Sequence, residues 1–205
     1  MHPKVLSEDA WSIVRRSVEN GLLEGWVLAG GTGLALQFGH RYSEDLDLFR
    51  PESFDPQFML DALAKLGSVA VQTRSAGTLH AVVQGVRVSF LEAQAEFLYP
   101  GSSYRGITVA DPSDIAVMKL VAIGGRGSRK DFVDLYFLFL DGVSLDSIFQ
   151  MLRRRFRGID YNEYHLRKAL VYFDDAESEP MPNMIRKVPW QEIKAAIISE
   201  VRRLT

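Results

Sequence analysis

Residues 26–49 read WVLAGGTGLALQFGHRYSEDLDLF. They predict a buried strand at 26–29, a glycine turn at 30–33, a short helix at 34–38, and a second strand carrying Asp45 and Asp47. Carboxylates at i and i+2 on a strand share a face, because successive side chains alternate. The turn sets backbone N–H groups and a helix start nearby, an arrangement suited to an anion such as phosphate. Paired carboxylates beside a phosphate-binding turn form a natural site for Mg²⁺ with a nucleoside triphosphate. The competing reading is an edge strand with a solvated acidic face, which the alternation alone also satisfies. Two carboxylates that close repel one another, and a divalent cation removes that cost.

Gly30-Gly31-Thr32-Gly33 is not the phosphate loop that ends in G-K-[ST], since no lysine follows it. Nor is it a dinucleotide fingerprint, which would need glycine at Ala35 or Leu36 and an isolated ribose-binding acid after the next strand. Thr32 is expected to add a hydroxyl to the turn's amides, to cap a helix that starts at Gly33, or both.

The rest of the chain reads as support for that stretch. With 205 residues and 47% apolar content, one well-buried domain, or a domain with a helical appendage, is expected. A net charge of −2 makes no general case for nucleic acid or membrane, so any basic surface must be local. The absence of cysteine excludes disulfides, thiolate metal sites and cysteine nucleophiles. The N-terminal MHPKVLSEDAW contains no apolar h-region, and the longest apolar run, 135–140, is far short of the roughly 20 residues of a membrane span. A soluble, cytoplasmic protein is the expectation.

Helices are predicted at 7–20, with Ser7 as N-cap, and at 56–66, with proline in the first turn. Three β-rich segments follow at 68–73, 79–84 and 86–92, the last two joined by Gln84-Gly85 as a tight hairpin. Residues 99–105 read as a loop. From Asp111 the character turns helical: Asp111-Pro112-Ser113-Asp114 is a strong helix start, and that helix is expected to break at Gly124-Gly125. Further helices are predicted at 129–140, 145–156, 162–173 and 190–204, with a long loop at 174–189. The predicted fold is α/β (α+β): a mixed sheet flanked by helices, core at 1–110, and a C-terminal helical region at 111–205 that completes the site.

The order apolar strand, Gly31-Thr32, then Asp45-Leu46-Asp47 resembles the signature of the nucleotidyltransferase superfamily typified by DNA polymerase beta. Residues Gly39-His40-Arg41-Tyr42-Ser43-Glu44-Asp45 are similar to the segment before the acidic pair in the AbiEii/AbiGii toxin family. Lys119-Leu120-Val121-Ala122, Arg126 and Lys130-Asp131-Phe132-Val133-Asp134-Leu135 resemble its downstream K-x-x-A…R…K-D-x-x-D-L motif. The resemblance implies a nucleotidyltransferase core, a role as the toxin of a toxin–antitoxin or phage-defence system, and an antitoxin partner. Some members of that family transfer nucleotides to tRNA 3′ ends; others are described only as GTP-binding. Carried over, Asp45 and Asp47 would bind Mg²⁺, and Gly30, Gly31, Thr32, Arg41, Ser43 and Arg126 would hold the triphosphate. Lys119 and Lys130 would neutralise phosphate charge, and Asp131 or Asp134 would be the downstream acid. The expected function is Mg²⁺-dependent transfer of a nucleoside monophosphate from an NTP to RNA or a protein. The alternative is a catalytically weakened NTP-binding partner.

The downstream residues read independently as follows. Lys119 and Arg126, seven apart, share a helix face if the helix survives Gly124-Gly125. Lys130 and Asp134 form an i, i+4 pair, which would be worth about 0.5 kcal/mol in a surface network. Asp134, however, sits in an apolar helix (DLYFLFL), where a buried carboxylate needs a partner; Lys119 or Arg126 are the candidates. Superfamily members that transfer nucleotides usually carry a third carboxylate on a later strand, as the base that activates the attacking hydroxyl. In Val86-Arg87-Val88-Ser89-Phe90-Leu91-Glu92, serine occupies that place and Glu92 lies in the other phase unless a bulge rotates it. Glu92 or Asp131 would then have to supply the base. Between 119 and 157 there are eight basic residues against four acidic ones. Arg153-Arg154-Arg155-Phe156-Arg157 reads as an RNA footprint, a solvated helix face, or a dock for an acidic partner. His40 reads as a phosphate or base contact, or as part of a helix-end cap with Arg41. No role is assigned to His80 or His165.

Overall fold

The computed structural model describes residues 1–159 and 161–204. Elements follow in the order α1 (Glu8–Glu19), β1 (Val27–Leu28), α2 (Gly30–Phe38), β2 (Asp45–Arg50), α3 (Pro56–Ala64), β3 (Val69–Ser75), β4 (Thr78–Val83), β5 (Val86–Glu92), β6 (Ser102–Tyr104) and β7 (Ile107–Val109). Helices complete the chain: α4 (Pro112–Gly125), α5 (Arg129–Leu140), α6 (Leu145–Arg155), α7 (Glu163–Leu170), α8 (Asp174–Ser178) and α9 (Trp190–Arg202). The strands form one mixed sheet of order β3-β4-β5-β2-β1-β7-β6, in which β2–β5 and β1–β7 are the parallel pairs. The mixed α/β class expected from the sequence is the one observed.

Capping chemistry sets several boundaries. Ser7 accepts a hydrogen bond from the Ala10 amide at 3.2 Å, Asp55 from Gln57 at 2.8 Å, and Asp111 from Ser113 at 2.8 Å. Each satisfies an amide that a helix start leaves without an internal partner. Gln84 (φ 49°) and Gly85 (φ 86°) take the paired positive φ of a two-residue hairpin turn, closing β4 onto β5.

Four expectations need correction. Gly30 and Gly31 are not a turn preceding the helix but its first residues: α2 starts at Gly30. Helix α4 ends at Gly125, two residues later than the expected stop at Ile123, and Leu166 of α7 packs where a Gly124 side chain would go. Residues 99–105 are not all loop, because β6 pairs with β7 through an Arg105-Gly106 turn of the same positive-φ type. Residues 174–189 hold α8 and an antiparallel bridge between Met184 and Arg41.

Two apolar cores result. Helices α1 and α3 cover one sheet face, burying Ile13, Met59, Leu63, Leu46, Leu48, Val88 and Phe90. The second core lies among α4–α9 and takes in Leu34 of α2 and Ala29. Thus the face of β2 opposite Leu46 and Leu48 meets a cleft walled on its far side by α4 and α5. Among the described residues, no helix is long and apolar enough to cross a membrane.

Candidate active site

Alternation on β2 buries Leu46 and Leu48 and turns Asp45 and Asp47 to the cleft. Asp45 makes a close ion pair with Arg87 Nε from β5, its register partner, and lies 3.8 Å from Lys130 Nζ. The hydrogen bond and charge of Asp45 hold the Arg87 guanidinium above its ordinary pKa. Asp47 abuts the start of α2: a side chain on Gly30 would lie 3.3 Å from Asp47 Oδ2, and Gly30 itself needs φ +60°.

Among the described residues, no side chain caps α2; Ala29, not Thr32, is its N-cap. The first-turn amides therefore have neither an internal partner nor a side-chain cap. Thr32 is buried and its hydroxyl donates to the Asp45 carbonyl. With that proton committed, Ser43 donates to Thr32 Oγ1 at 2.6 Å. Both residues thus tie the helix start to the root of β2.

Beneath this turn lies a buried charge cluster. Asp134, fully buried on α5, accepts from Arg41 Nε at 2.7 Å and Arg41 Nη2 at 2.9 Å. It also pairs with Lys119 Nζ at 2.6 Å and His40 Nε2 at 2.8 Å. Lys119 reaches Asp131 at 2.8 Å, and Arg126 Nε lies 3.4 Å from the same carboxylate. The alternative of a surface network is excluded, since Asp131 and Asp134 are both fully buried, and the partner expected for a buried Asp134 is found in Lys119. Burial alone would raise the Asp134 pKa, but Arg41 and Lys119 outweigh it and hold the carboxyl well below its usual range. Burial lowers the His40 pKa, keeping the ring neutral with Nε2–H donating to Asp134. His40 thus spends its ring N–H on Asp134 and does not line the cleft, its ring packing edge-on against Phe38 at the end of α2. Burial opposes the charge on Lys119, yet Asp134 and Asp131 raise its pKa on balance.

Arg41 explains Gly31. A side chain there would fall 2.0 Å from Arg41 Nη2, so the guanidinium can lie against the first turn of α2 only because Gly31 has none.

One cleft of about 770 Å³ is lined by Gly30, Gly31, Thr32, Arg41, Ser43, Asp45 and Asp47 on the sheet side. Lys119, Arg126, Lys130 and Asp131 line the helical side. Of the residues singled out in the sequence, Asp134, His40 and Ser89 are absent from the lining, all three being buried. Lys130 turns to Asp45 instead of forming its i, i+4 pair with Asp134. Helix α4 does carry Lys119 and its C-cap Arg126 to one carboxylate, Asp131.

Sequence reasoning gave no role to Arg87 or His80, which also line the cleft. The alternation of Val86–Glu92 put Arg87 on the cleft face; only the strand register pairs it with Asp45. Ser89 stands directly beside Asp47 and bonds His80 Nδ1 at 2.9 Å. Residues 153–157 do not form one cationic face. Arg155 is buried against Asp114 at 3.2 Å, whereas Arg153 pairs with Glu163 at 2.6 Å.

A mixed sheet with two carboxylates at i and i+2 on a central strand, facing an uncapped glycine helix start, defines the nucleotidyltransferase class of fold. Solved structures agree with that class. A putative nucleotidyltransferase from H. pylori superposes with TM-score 0.56 at 14% identity, covering 97% of this chain and 95% of that one. The antibiotic-resistance factor ANT(2'')-Ia superposes with TM-score 0.54 at 14% identity, covering 71% and 87%. MenT4, a nucleotidyltransferase toxin from Mycobacterium tuberculosis H37Rv, gives TM-score 0.50 at 16% identity, covering 88% and 76%. At such identities these likenesses speak for the fold alone. The family rests on sequence: the chain belongs to the nucleotidyl transferase AbiEii toxin family of type IV toxin–antitoxin systems, whose profile matches residues 12–203. An uncharacterized protein of Aquifex aeolicus (strain VF5) is 34% identical over 194 residues, 92% of each chain.

Proposed function

We propose that this chain is a Mg²⁺-dependent nucleotidyltransferase that moves a nucleoside monophosphate from an NTP to a hydroxyl of RNA, tRNA 3′ ends included, or of a protein. The observation that carries the reading is the placement of Asp45 and Asp47 on the cleft face of β2, against the open helix start at Gly30–Thr32.

Magnesium is held by one or two carboxylates with water and substrate phosphate completing its shell. Asp45 and Asp47 fit that demand, and among the described residues no group of three or more His, Asp or Glu offers a denser cage. Bound there, Mg²⁺ would supply charge neutralisation and polarisation of the phosphoryl oxygens. The chain's own groups do the rest. The Gly30, Gly31 and Thr32 amides donate to the triphosphate, with the positive end of α2 behind them. Lys130 and Arg126, whose side chains are 43% and 65% exposed and whose ion pairs are the long ones at 3.8 and 3.4 Å, are placed to reach phosphate oxygens from the opposite wall. Lys119, already engaged with two carboxylates, holds the floor. Arg87 and Lys130 neutralise Asp45 until nucleotide arrives.

Toxin-family membership supports an antitoxin as the regulatory counterpart. Ser89, in place of a third carboxylate, favours one other reading: an NTP-binding protein with weak transfer. Both are tested by incubating the protein with Mg²⁺, each labelled NTP and total tRNA. Wild type is expected to label the RNA, and Asp45→Ala/Asp47→Ala to abolish labelling. Incorporation that survives the double substitution would sink the assignment. Thermal stabilisation by Mg²⁺–NTP without labelling would favour the weaker binder.

A further inference from the structure

The missing third carboxylate leaves a chemical vacancy that the strand register fills. On β5, Ser89 is the register partner of Asp47 on one side and of His80 on the other. The three residues therefore form a row across β2, β5 and β4. At about 4.8 Å per strand, that row spans roughly 10 Å. The imidazole leans toward β5, bringing Nδ1 within 2.9 Å of Ser89 Oγ, and His80 lines the same cleft as Asp47. Among the described residues, Nε2 has no recorded protein partner.

Of the alternative carboxylates, Asp131 and Asp134 are tied up in ion pairs, whereas Glu92, at the end of β5, lines the cleft but turns its carboxylate over Gly77, at the tip of the β3–β4 turn. Asp131 is fully buried and paired with Lys119 and Arg126, and Asp134 lies below the cleft.

We propose that His80 is the general base of the transfer, with Ser89 as its positioning residue; this rests on the nucleotidyltransferase reading above. Ser89 Oγ accepts from Nδ1–H, which fixes the tautomer whose Nε2 lone pair is open to the cleft. As the acceptor oxygen bonds to the α-phosphorus, its proton passes to Nε2. The bond from the α-phosphorus to the bridging oxygen breaks, and pyrophosphate leaves with that electron pair. The imidazolium then returns its proton to water. A histidine is thereby read into the role the superfamily usually gives an acid, and the substrate class it serves is a hydroxyl acceptor.

The test uses the full chain, Mg²⁺, labelled NTPs and total tRNA, with His80→Ala and Ser89→Ala beside Asp45→Ala/Asp47→Ala. His80→Ala is expected to lower kcat by about 10²–10⁴-fold, the usual worth of a positioned base, with KM for NTP unchanged. Added imidazole should restore about tenfold or more of the lost rate in His80→Ala and none in the aspartate variant. Ser89→Ala should lower kcat less, again without moving KM. Thermal stabilisation by Mg²⁺–NTP should persist in His80→Ala and vanish in the aspartate variant, which separates a folded, nucleotide-binding protein from a damaged one. A His80→Ala protein that transfers within about threefold of wild type overturns the base assignment while leaving the nucleotidyltransferase reading intact. So does a lost rate that imidazole cannot raise. If wild type labels neither RNA nor any protein of a cell extract supplied with the same NTPs, both readings fall together.

Discussion

Replacing Asp134 with alanine removes the acceptor on which the floor of the cleft is built. The carboxylate takes four short contacts, from Arg41 at 2.7 and 2.9 Å, His40 at 2.8 Å and Lys119 at 2.6 Å. Lys119 would retain Asp131, but Arg41 would keep only the Tyr42 carbonyl at 3.0 Å while its side chain is 5% exposed. Stranding a buried charge in this way costs about 3–5 kcal/mol. For a chain of this size each kcal/mol is worth about 2–4 °C, so the melting temperature should drop by about 6–20 °C. Urea unfolding followed by tryptophan fluorescence is the assay; Trp190 reports on α5, because its ring lies 6.1 Å from that of Phe132. The midpoint should shift with little change in slope. The paired substitution Arg41→Met/Asp134→Leu, which removes both charges, should recover part of the loss. If Asp134→Ala alone costs less than about 1 kcal/mol, the value of an exposed ion pair, the cluster does not hold the helices to the sheet and the reasoning fails.

Gly31→Ala places a methyl group 2.0 Å from Arg41 Nη2 and should destabilise by about 1–3 kcal/mol in the same urea assay. Arg87→Ala frees Asp45 of its close partner, so Mg²⁺ titration calorimetry should show binding up to about fivefold tighter, the worth of a half-exposed ion pair; weaker binding would contradict the competition. Native His40 resists protonation whereas the unfolded ring accepts a proton, so stability should fall as pH drops below about 6.5. The Asp134 pKa is depressed, so its contribution is present above about pH 3.9 and is lost below that, as pH falls through the lower native value. In His40→Gln melts across pH, the upper limb should vanish and the acid limb remain.

What the sequence conveyed and what it concealed divide along the range of the interaction. The phase of β2, the caps at Ser7 and Asp111, and the Gln84-Gly85 hairpin are local, and each is visible in a few neighbouring letters. Arg105-Gly106 carries the same turn chemistry, but its flanking strands have only three residues each, too few to show alternation. Glycine is a poor helix former, which pushed the start of α2 past Gly30 and Gly31. Their presence is explained only by Asp47 and Arg41, which crowd them in space. The apolar run around Asp134 did announce a buried acid in need of a cation. Lys119 was within reach of that argument; Arg41 and His40, from another part of the chain, were not. The His80–Ser89 contact likewise depends on which strand lies beside which, a property that no single segment displays.

The union of Arg41 with Asp134 also has an order in time. The two residues are 93 positions apart. At about 5–20 residues per second, a ribosome makes the arginine roughly 5–20 s before its counter-charge. Throughout that interval Arg41 lacks the carboxylate that pairs with it in the folded protein, and the cleft it underlies is unfinished. The neutralising carboxylate arrives only with α5. A growing chain of this toxin family is therefore expected to stay inert until its later helices have been translated and have closed over the sheet.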